Sequence, residues 1–343
     1  MDQGKNTVTS LPRRRLLTTS LALTGLALFT HKAEALTSLP RQRVIIDNDF
    51  SGDPDGLFQL AHHLASPSIE IPLVIGSHIH VNDFLDSSTT QADNAVVKVT
   101  KIYGLMQLTH QPPVVAGYNA ASPKGATPRK TQAAERIITE AMRDDTQLPL
   151  YYAAGAGLTE LAEALKLEPK IGKRMKLVWI GGYEHGDLLP DVPPRRDSEY
   201  NTTINLEAVK TVFNDSDIEI WQVPRNVYRQ LNISHAELIS GLRPAGKLGA
   251  YLLTELEKVM SKVKNLGETY ILGDSPLVTL TALQSSFDPD SYSSAYVVRP
   301  TPLITDAARY ADNPHGRQMR VYLNIDTRLT FADMFAKFAS AAR

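Results

Sequence analysis

Short apolar runs alternate along this chain with stretches of helical period, and that alternation limits the folds open to it. Val44-Ile45-Ile46 and residues 71–75, 113–117, 150–154, 177–180 and 218–223 read as strands, being apolar or β-branched and bounded by turn residues. Residues 57–65, 93–105, 131–142, 158–167 and 206–213 carry apolar side chains at helical spacing. Strand and helix in turn predict an α/β fold with a Rossmann-like, mostly parallel central sheet flanked by helices. Residues 235–266 read as mainly helical, and 296–298 and 319–325 as late strands. No linker, repeat or low-complexity segment interrupts residues 36–343, so they are read as a single domain.

The first strand runs into Asp47-Asn48-Asp49-Phe50-Ser51-Gly52-Asp53-Pro54-Asp55-Gly56, which sets four carboxylates within ten residues. A buried strand followed by a Gly/Pro turn places them at the carboxyl end of the strand, where α/β proteins build their sites. Carboxylates so close repel one another, and a cation that takes oxygen ligands relieves the repulsion. The plainer alternative is a solvated acidic turn.

The amino terminus reads as separate from the fold. Arg13-Arg14-Arg15 precedes the apolar stretch from Leu16 to Phe29, and Ala33-Glu34-Ala35 follows it. A basic region, an apolar region and an A-x-A site make a signal peptide over residues 1–35, and the arginine pair resembles a twin-arginine export signal. The expected location is the periplasm or the exterior. An uncleaved anchor is the alternative, and the run falls short of the roughly 20 apolar residues that span a bilayer. No stable membrane association is expected. The net charge of −1 over 343 residues gives no nucleic-acid footprint. The absence of cysteine excludes disulfides, thiolate metal sites and a cysteine nucleophile.

Five segments in order carry a family resemblance. Asp47-x-Asp49 with Asp53 and Asp55 is followed by Ala154-Gly155-Ala156-Gly157-Leu158-Thr159-Glu160-Leu161-Ala162, which resembles a Gly-x-Leu-Thr-Asn-Ile-Ala turn into a helix. Trp179-Ile180-Gly181-Gly182 with Gly186-Asp187 comes next, then Glu199-Tyr200-Asn201 with Asn205-Leu206-Glu207-Ala208, then Gly273-Asp274-Ser275-Pro276. Together they resemble the inosine-uridine-preferring nucleoside hydrolases over roughly Val44 to Leu283. The resemblance implies calcium-dependent hydrolysis of the N-glycosidic bond of nucleosides or related ribosides through an oxocarbenium-like transition state. It implies that calcium holds the attacking water while Asp49, also a metal ligand, takes its proton. Asp55, the carbonyl of Gly155 and Asp274 match the other metal positions, and Asp53, Asp187, Glu199 and Asn201 match residues that bind the ribose. Dimers or tetramers are implied as well.

The sequence also departs from the family's pattern. Pro54 separates Asp53 from Asp55 where the family has adjacent aspartates, so either could be the bidentate metal ligand. Gly273 stands where many members carry a histidine that protonates the leaving base, Asp187 replaces an asparagine, and so does Glu160. His185, His78 and His80 are candidates for a substitute acid, although a surface histidine is the commoner case for His185. His62-His63 reads as structural or exposed, and Arg195-Arg196 as a solvated loop. Two other functions compete. A haloacid-dehalogenase-type phosphatase would use Asp47 as nucleophile and Asp49 as acid/base, but Val278 occupies the place of its usual second late aspartate. A non-catalytic calcium and sugar binder on the same fold is the other.

Overall fold

The computed structural model describes residues 38–121, 124–189, 191, 193, 195–264, 267–284 and 293–341. The signal-peptide reading of residues 1–35 lies outside them. Twelve strands are described among these residues, in chain order: β1 (Gln42–Asn48), β2 (Ile69–Gly76), β3 (Val114–Ala116), β4 (Leu150–Ala154), β5 (Met175–Ile180), β6 (Glu219–Val223), β7 (Asn232–Ser234), β8 (Thr269–Ile271), β9 (Tyr296–Pro300), β10 (Leu303–Ile304), β11 (Tyr310–Ala311) and β12 (Gln318–Tyr322). Eight of them form one sheet in the order β3-β2-β1-β4-β5-β6-β12-β9, parallel throughout except for β9 at the edge. β7 and β8 make a separate antiparallel pair, as do β10 and β11.

The central strands β1, β4 and β5 carry apolar runs, at residues 44–46, 150–154 and 177–180, because both faces of the sheet are covered. Ile45, Tyr152, Leu177 and Ile220 point to one buried cluster; Val44, Ile46, Ala153, Val178 and Val223 point to the other. Helices α3 (Gln132–Ala141), α4 (Thr159–Leu167) and α6 (Leu206–Asn214) cover the first face. Helices α1 (Asp55–Leu64), α2 (Gln91–Leu105), α8 (His235–Leu242), α9 (Gly246–Lys262) and α11 (Thr327–Ala341) cover the second.

The expected doubly covered sheet is what the chain forms. The helical stretch expected at 235–266 is divided by the turn at Arg243-Pro244-Ala245, since proline lacks the amide a continuous helix needs. The β7–β8 pair and helix α11 add to the expected elements. Among the described residues no helix is long and apolar enough to cross a membrane.

The strand order fixes the place of a site. From β1 the chain moves outward through β2 to β3, then returns to add β4 on the other side of β1. Strand order reverses there, and the crevice at the carboxyl ends of β1 and β4 is where such sheets bind ligands.

Candidate active site

β1 carries Asp47, Asn48 and Asp49 to this switch point. The N–H of Gly155, just past β4, donates to the Asp47 carbonyl at 2.9 Å. The loop after β1 folds back through Gly52, whose N–H donates to the Asp49 carbonyl at 2.6 Å. Asp55 then opens α1, where its Oδ1 accepts from the Gly56 N–H at 2.9 Å and the helix dipole favours an acid. Asp274 arrives from the far end of the sequence, just after β8, and its N–H donates to Asp55 Oδ2 at 3.2 Å. Asp53 is held by other partners, the Tyr270 hydroxyl at 2.7 Å and the Asp55 N–H at 3.2 Å.

Asp49, Asp53, Asp55, Gly155, Glu199, Asn201 and Asp274 all line one cavity of about 630 Å³. Asn201 donates to the carbonyls of Gly155 at 3.0 Å and Ile180 at 2.7 Å, so its amide spans the ends of β4 and β5. Glu199 is fully buried and caps the short helix α5 (Tyr200–Ile204), accepting from the N–H groups of Thr202 at 2.8 Å and Asn201 at 3.2 Å. It also accepts from the Gly182 N–H at 2.9 Å and the Tyr228 hydroxyl at 3.0 Å. Gly182 is obligatory here: its φ is +91°, and a Cβ would lie 1.9 Å from the Gln222 amide.

Asp187 is the exception among the expected site residues. It sits on an exposed turn and accepts two 3.0 Å hydrogen bonds from Arg299, outside the cavity lining. The guanidinium holds its carboxyl below the usual range. The family resemblance implied a ribose contact at Asp187, but in this structure an ion pair across to β9 holds the side chain away.

The candidate acids are held elsewhere too. His185 is buried, hydrogen-bonds Gln222 at 2.9 Å and stacks on Tyr310 with centroids 4.6 Å apart. His78 is buried between the Ile79 carbonyl at 2.9 Å and the Thr159 hydroxyl at 2.9 Å. Burial lowers the pKa of both rings. His80 meets Thr203 at 3.2 Å and packs edge-on against Tyr200, which does line the cavity. Among the described residues no histidine lines the cavity. A Cβ at Gly273 would lie 3.3 Å from Asp55 Oδ2 and 3.4 Å from the Tyr228 ring, so the tyrosine borders the space a side chain there would enter. Asp47, the nucleophile of the phosphatase alternative, is fully enclosed by Ser77 and Tyr152 and does not line the cavity.

Burial, then the carboxylates of Asp274 and Asp53, push Asp49 well above the usual carboxylate range. Asp55 is raised in the same way, by burial and then by Asp274 and Asp53. Burial and Asp53 raise Asp274 to about 7. Left to themselves these groups take up protons, and a divalent cation relieves the same strain. Among the described residues no three His, Asp or Glu side chains converge as a ligand set. The donor chemistry nonetheless fits a hard cation: every group is oxygen, and Asp55 Oδ2 and the Gly155 carbonyl each keep a lone pair beyond the hydrogen bond they accept.

Sequence reasoning missed Tyr228 and Tyr270, which hold Glu199 and Asp53 from positions outside every motif. It also missed the more exposed part of the lining, where Phe84, Leu85, Val259, Val263 and Ile271 add apolar surface to a cavity whose acids Asp49, Glu199 and Asp274 are buried. A polar floor with an apolar mouth suits a ligand that is a sugar at one end and a flat ring at the other.

A curated inosine-uridine preferring nucleoside hydrolase of Leishmania major is 26% identical over 294 residues, covering 78% of this chain and 82% of the relative. A plant nucleoside hydrolase superposes with TM-score 0.65 at 17% identity, over 88% of this chain and 100% of the other. The inosine-uridine preferring nucleoside hydrolase of Bacillus anthracis superposes with TM-score 0.62 at 18% identity, over 88% and 99%. The family model for inosine-uridine preferring nucleoside hydrolases matches residues 44–337, from the first sheet strand into the last helix. With that match over the fold and the cavity, this chain belongs to the inosine-uridine preferring nucleoside hydrolase family and is a hydrolase of N-glycosyl compounds.

Proposed function

We propose that this protein cleaves the N-glycosidic bond of a nucleoside or related riboside, with calcium bound at the carboxylate floor and Asp49 as general base. One observation carries the reading: Asp49, Asp55 and Asp274, from two distant segments, meet in a single cavity with Glu199 and Asn201. Asp49, Asp55, Asp274 and the Gly155 carbonyl would hold the cation. Bound there, it would supply the positive charge that lowers the pKa of the attacking water and keeps the aspartates ionised. Asp49 takes the proton from that water as it attacks the anomeric carbon. Asp53, braced by Tyr270, and Asn201 and Glu199 orient the sugar hydroxyls. The apolar mouth receives the aglycone and excludes water from it.

The test is a panel of nucleosides and aryl ribosides assayed for reducing-sugar release with calcium and after chelation. Calcium-dependent release of ribose supports the proposal. Phosphate release from phosphoesters with no ribose release would support the phosphatase instead, and saturable binding without turnover would leave a sugar binder. We also propose export: amino-terminal sequencing of extracytoplasmic protein should find a start near Leu36, and an intact Met1 on cytoplasmic protein would contradict it.

A further inference from the structure

The carboxylate floor is tied together by a residue that the reaction does not use. Asn48 lies between the two halves of the floor and is completely buried. Its Oδ1 accepts from the Asp49 N–H at 2.8 Å, and its Nδ2 donates to Asp274 Oδ2 at 2.8 Å. It thus joins a backbone group on the β1 loop to a side chain more than two hundred positions later in the sequence.

The amide cannot turn over, because a chain of buried polar groups fixes its direction. Asn48 Nδ2 also donates to Gln59 Oε1 at 3.2 Å, which leaves the Gln59 amide nitrogen to face His63 Nδ1. His63 Nε2 meets the Thr281 hydroxyl at 2.8 Å, and that hydroxyl donates to the Leu277 carbonyl at 2.6 Å. Gln59, His63 and Thr281 are all fully buried. The two ends of the chain are backbone groups, the Asp49 N–H and the Leu277 carbonyl, whose polarity is invariant. Reading inward from them, Asn48 has to present nitrogen to Asp274, and His63 has to carry its proton on Nε2. Burial pushes the His63 pKa down to about 3, consistent with the neutral ring this requires.

Two glycines enclose the side chain. A Cβ at Gly155 would lie 2.3 Å from Asn48 Nδ2, and one at Gly56 would lie 3.0 Å from it. Gln59 and His63 follow Asp55 at successive four-residue steps on α1, so the chain runs along the helix stripe that also carries a floor carboxylate. Four buried polar side chains could give way to apolar packing at little cost to the fold. Their arrangement makes sense if the orientation of the acid at its end matters.

We propose that Asn48 is the positioning residue of the carboxylate floor, locked by the Gln59–His63–Thr281 chain so that it can only donate to Asp274 and hold that carboxylate toward the cation. The inference rests on the calcium reading above. It is tested by calorimetric titration of calcium alone into the chelator-stripped full chain and three variants, each checked for a cooperative melt. Asn48→Asp adds a negative charge beside the site yet should bind calcium at least about tenfold more weakly, because its acceptor faces another acceptor. Gln59→Met should weaken binding by about tenfold, the low end for groups that orient ligands, and the near-isosteric Thr281→Val, two links further along the chain, by about threefold. A folded Asn48→Asp that binds as tightly as the parent or tighter overturns the proposal, as do unchanged affinities in Gln59→Met and Thr281→Val. If the parent binds no calcium, the metal reading itself has failed. Nitrogen-15 spectra of His63 then still decide the chain: a neutral ring protonated on Nε2 is expected, and a proton on Nδ1 contradicts it.

Discussion

The cavity floor and the loop after β5 were both expected to supply site residues, and the structure treats them differently. The floor is assembled at strand ends: Asn48 and Asp49 at the end of β1, Gly155 just past β4, Asp274 just after β8, cross-tied by hydrogen bonds of 2.8–3.2 Å. The loop residues Asp187 and His185 are tied to partners away from the cavity, Arg299 on β9 and Gln222 on β6. A residue at a strand end is aimed by the sheet, whereas one on a loop goes where its strongest local partner takes it.

The largest consequence concerns the leaving group. With glycine at position 273 and, among the described residues, no histidine in the lining, the cavity offers a departing base no imidazole to protonate it. An aryl riboside, whose aglycone leaves without protonation, should therefore outrun inosine by roughly 10² to 10⁴, the usual worth of general-acid help. Equal rates on the two substrates would show that a donor reaches the aglycone. Selective loss of inosine cleavage in His185→Ala, His78→Ala or His80→Ala would identify it and bring the loop residues back into the site.

A second test concerns the buried Glu160, which accepts from the Tyr118 N–H at 2.8 Å behind the β4 turn. Burial raises its pKa to about 8, far above its ordinary value. The folded state therefore favours the protonated acid. Its contribution to stability is full below the ordinary glutamate range and is lost as pH rises through about 8. The metal-free protein should melt several degrees lower at pH 9 than at pH 5, and Glu160→Gln should flatten that slope by keeping the neutral form at every pH. An unchanged slope in the variant would place the pH dependence elsewhere, the raised floor carboxylates being the next candidates.

The smallest effect is expected on the loop. Asp187→Asn breaks an exposed pair with Arg299, and such pairs are worth about 0–1 kcal/mol, so kcat/KM should stay within about threefold of the parent. A loss of a hundredfold or more would mean that Asp187 leaves Arg299 and enters the site when substrate binds.

What could be read from the sequence follows the same division. The strands from β1 to β6 were legible because burial on both faces fills them mostly with apolar residues, as in Val44-Ile45-Ile46 and Leu177-Val178-Trp179-Ile180. The acidic floor was legible because four carboxylates after such a run have few bland explanations. β7 and β8, at three residues each, are too short to show a period. Helix α11 did carry a signal, since Phe331, Met334 and Phe338 recur on its buried side at helical spacing. Tyr228 and Tyr270 stood in no motif, and only the fold brings their hydroxyls to Glu199 and Asp53. Asn48 was in plain view inside the aspartate motif, yet its role depends on Gln59 and Asp274, whose nearness to it no local pattern reveals.

Asp49 is the residue on which the proposed chemistry depends most directly. The measurement is ribose release from a good aryl riboside by Asp49→Asn and by the parent, both with saturating calcium and both shown to melt cooperatively. Asparagine keeps the shape of the side chain but cannot take the proton from water, so turnover should fall by roughly 10² to 10⁴ while the fold survives. A variant that keeps more than about a tenth of the parent's activity would contradict the assignment of the floor as the place where water is activated.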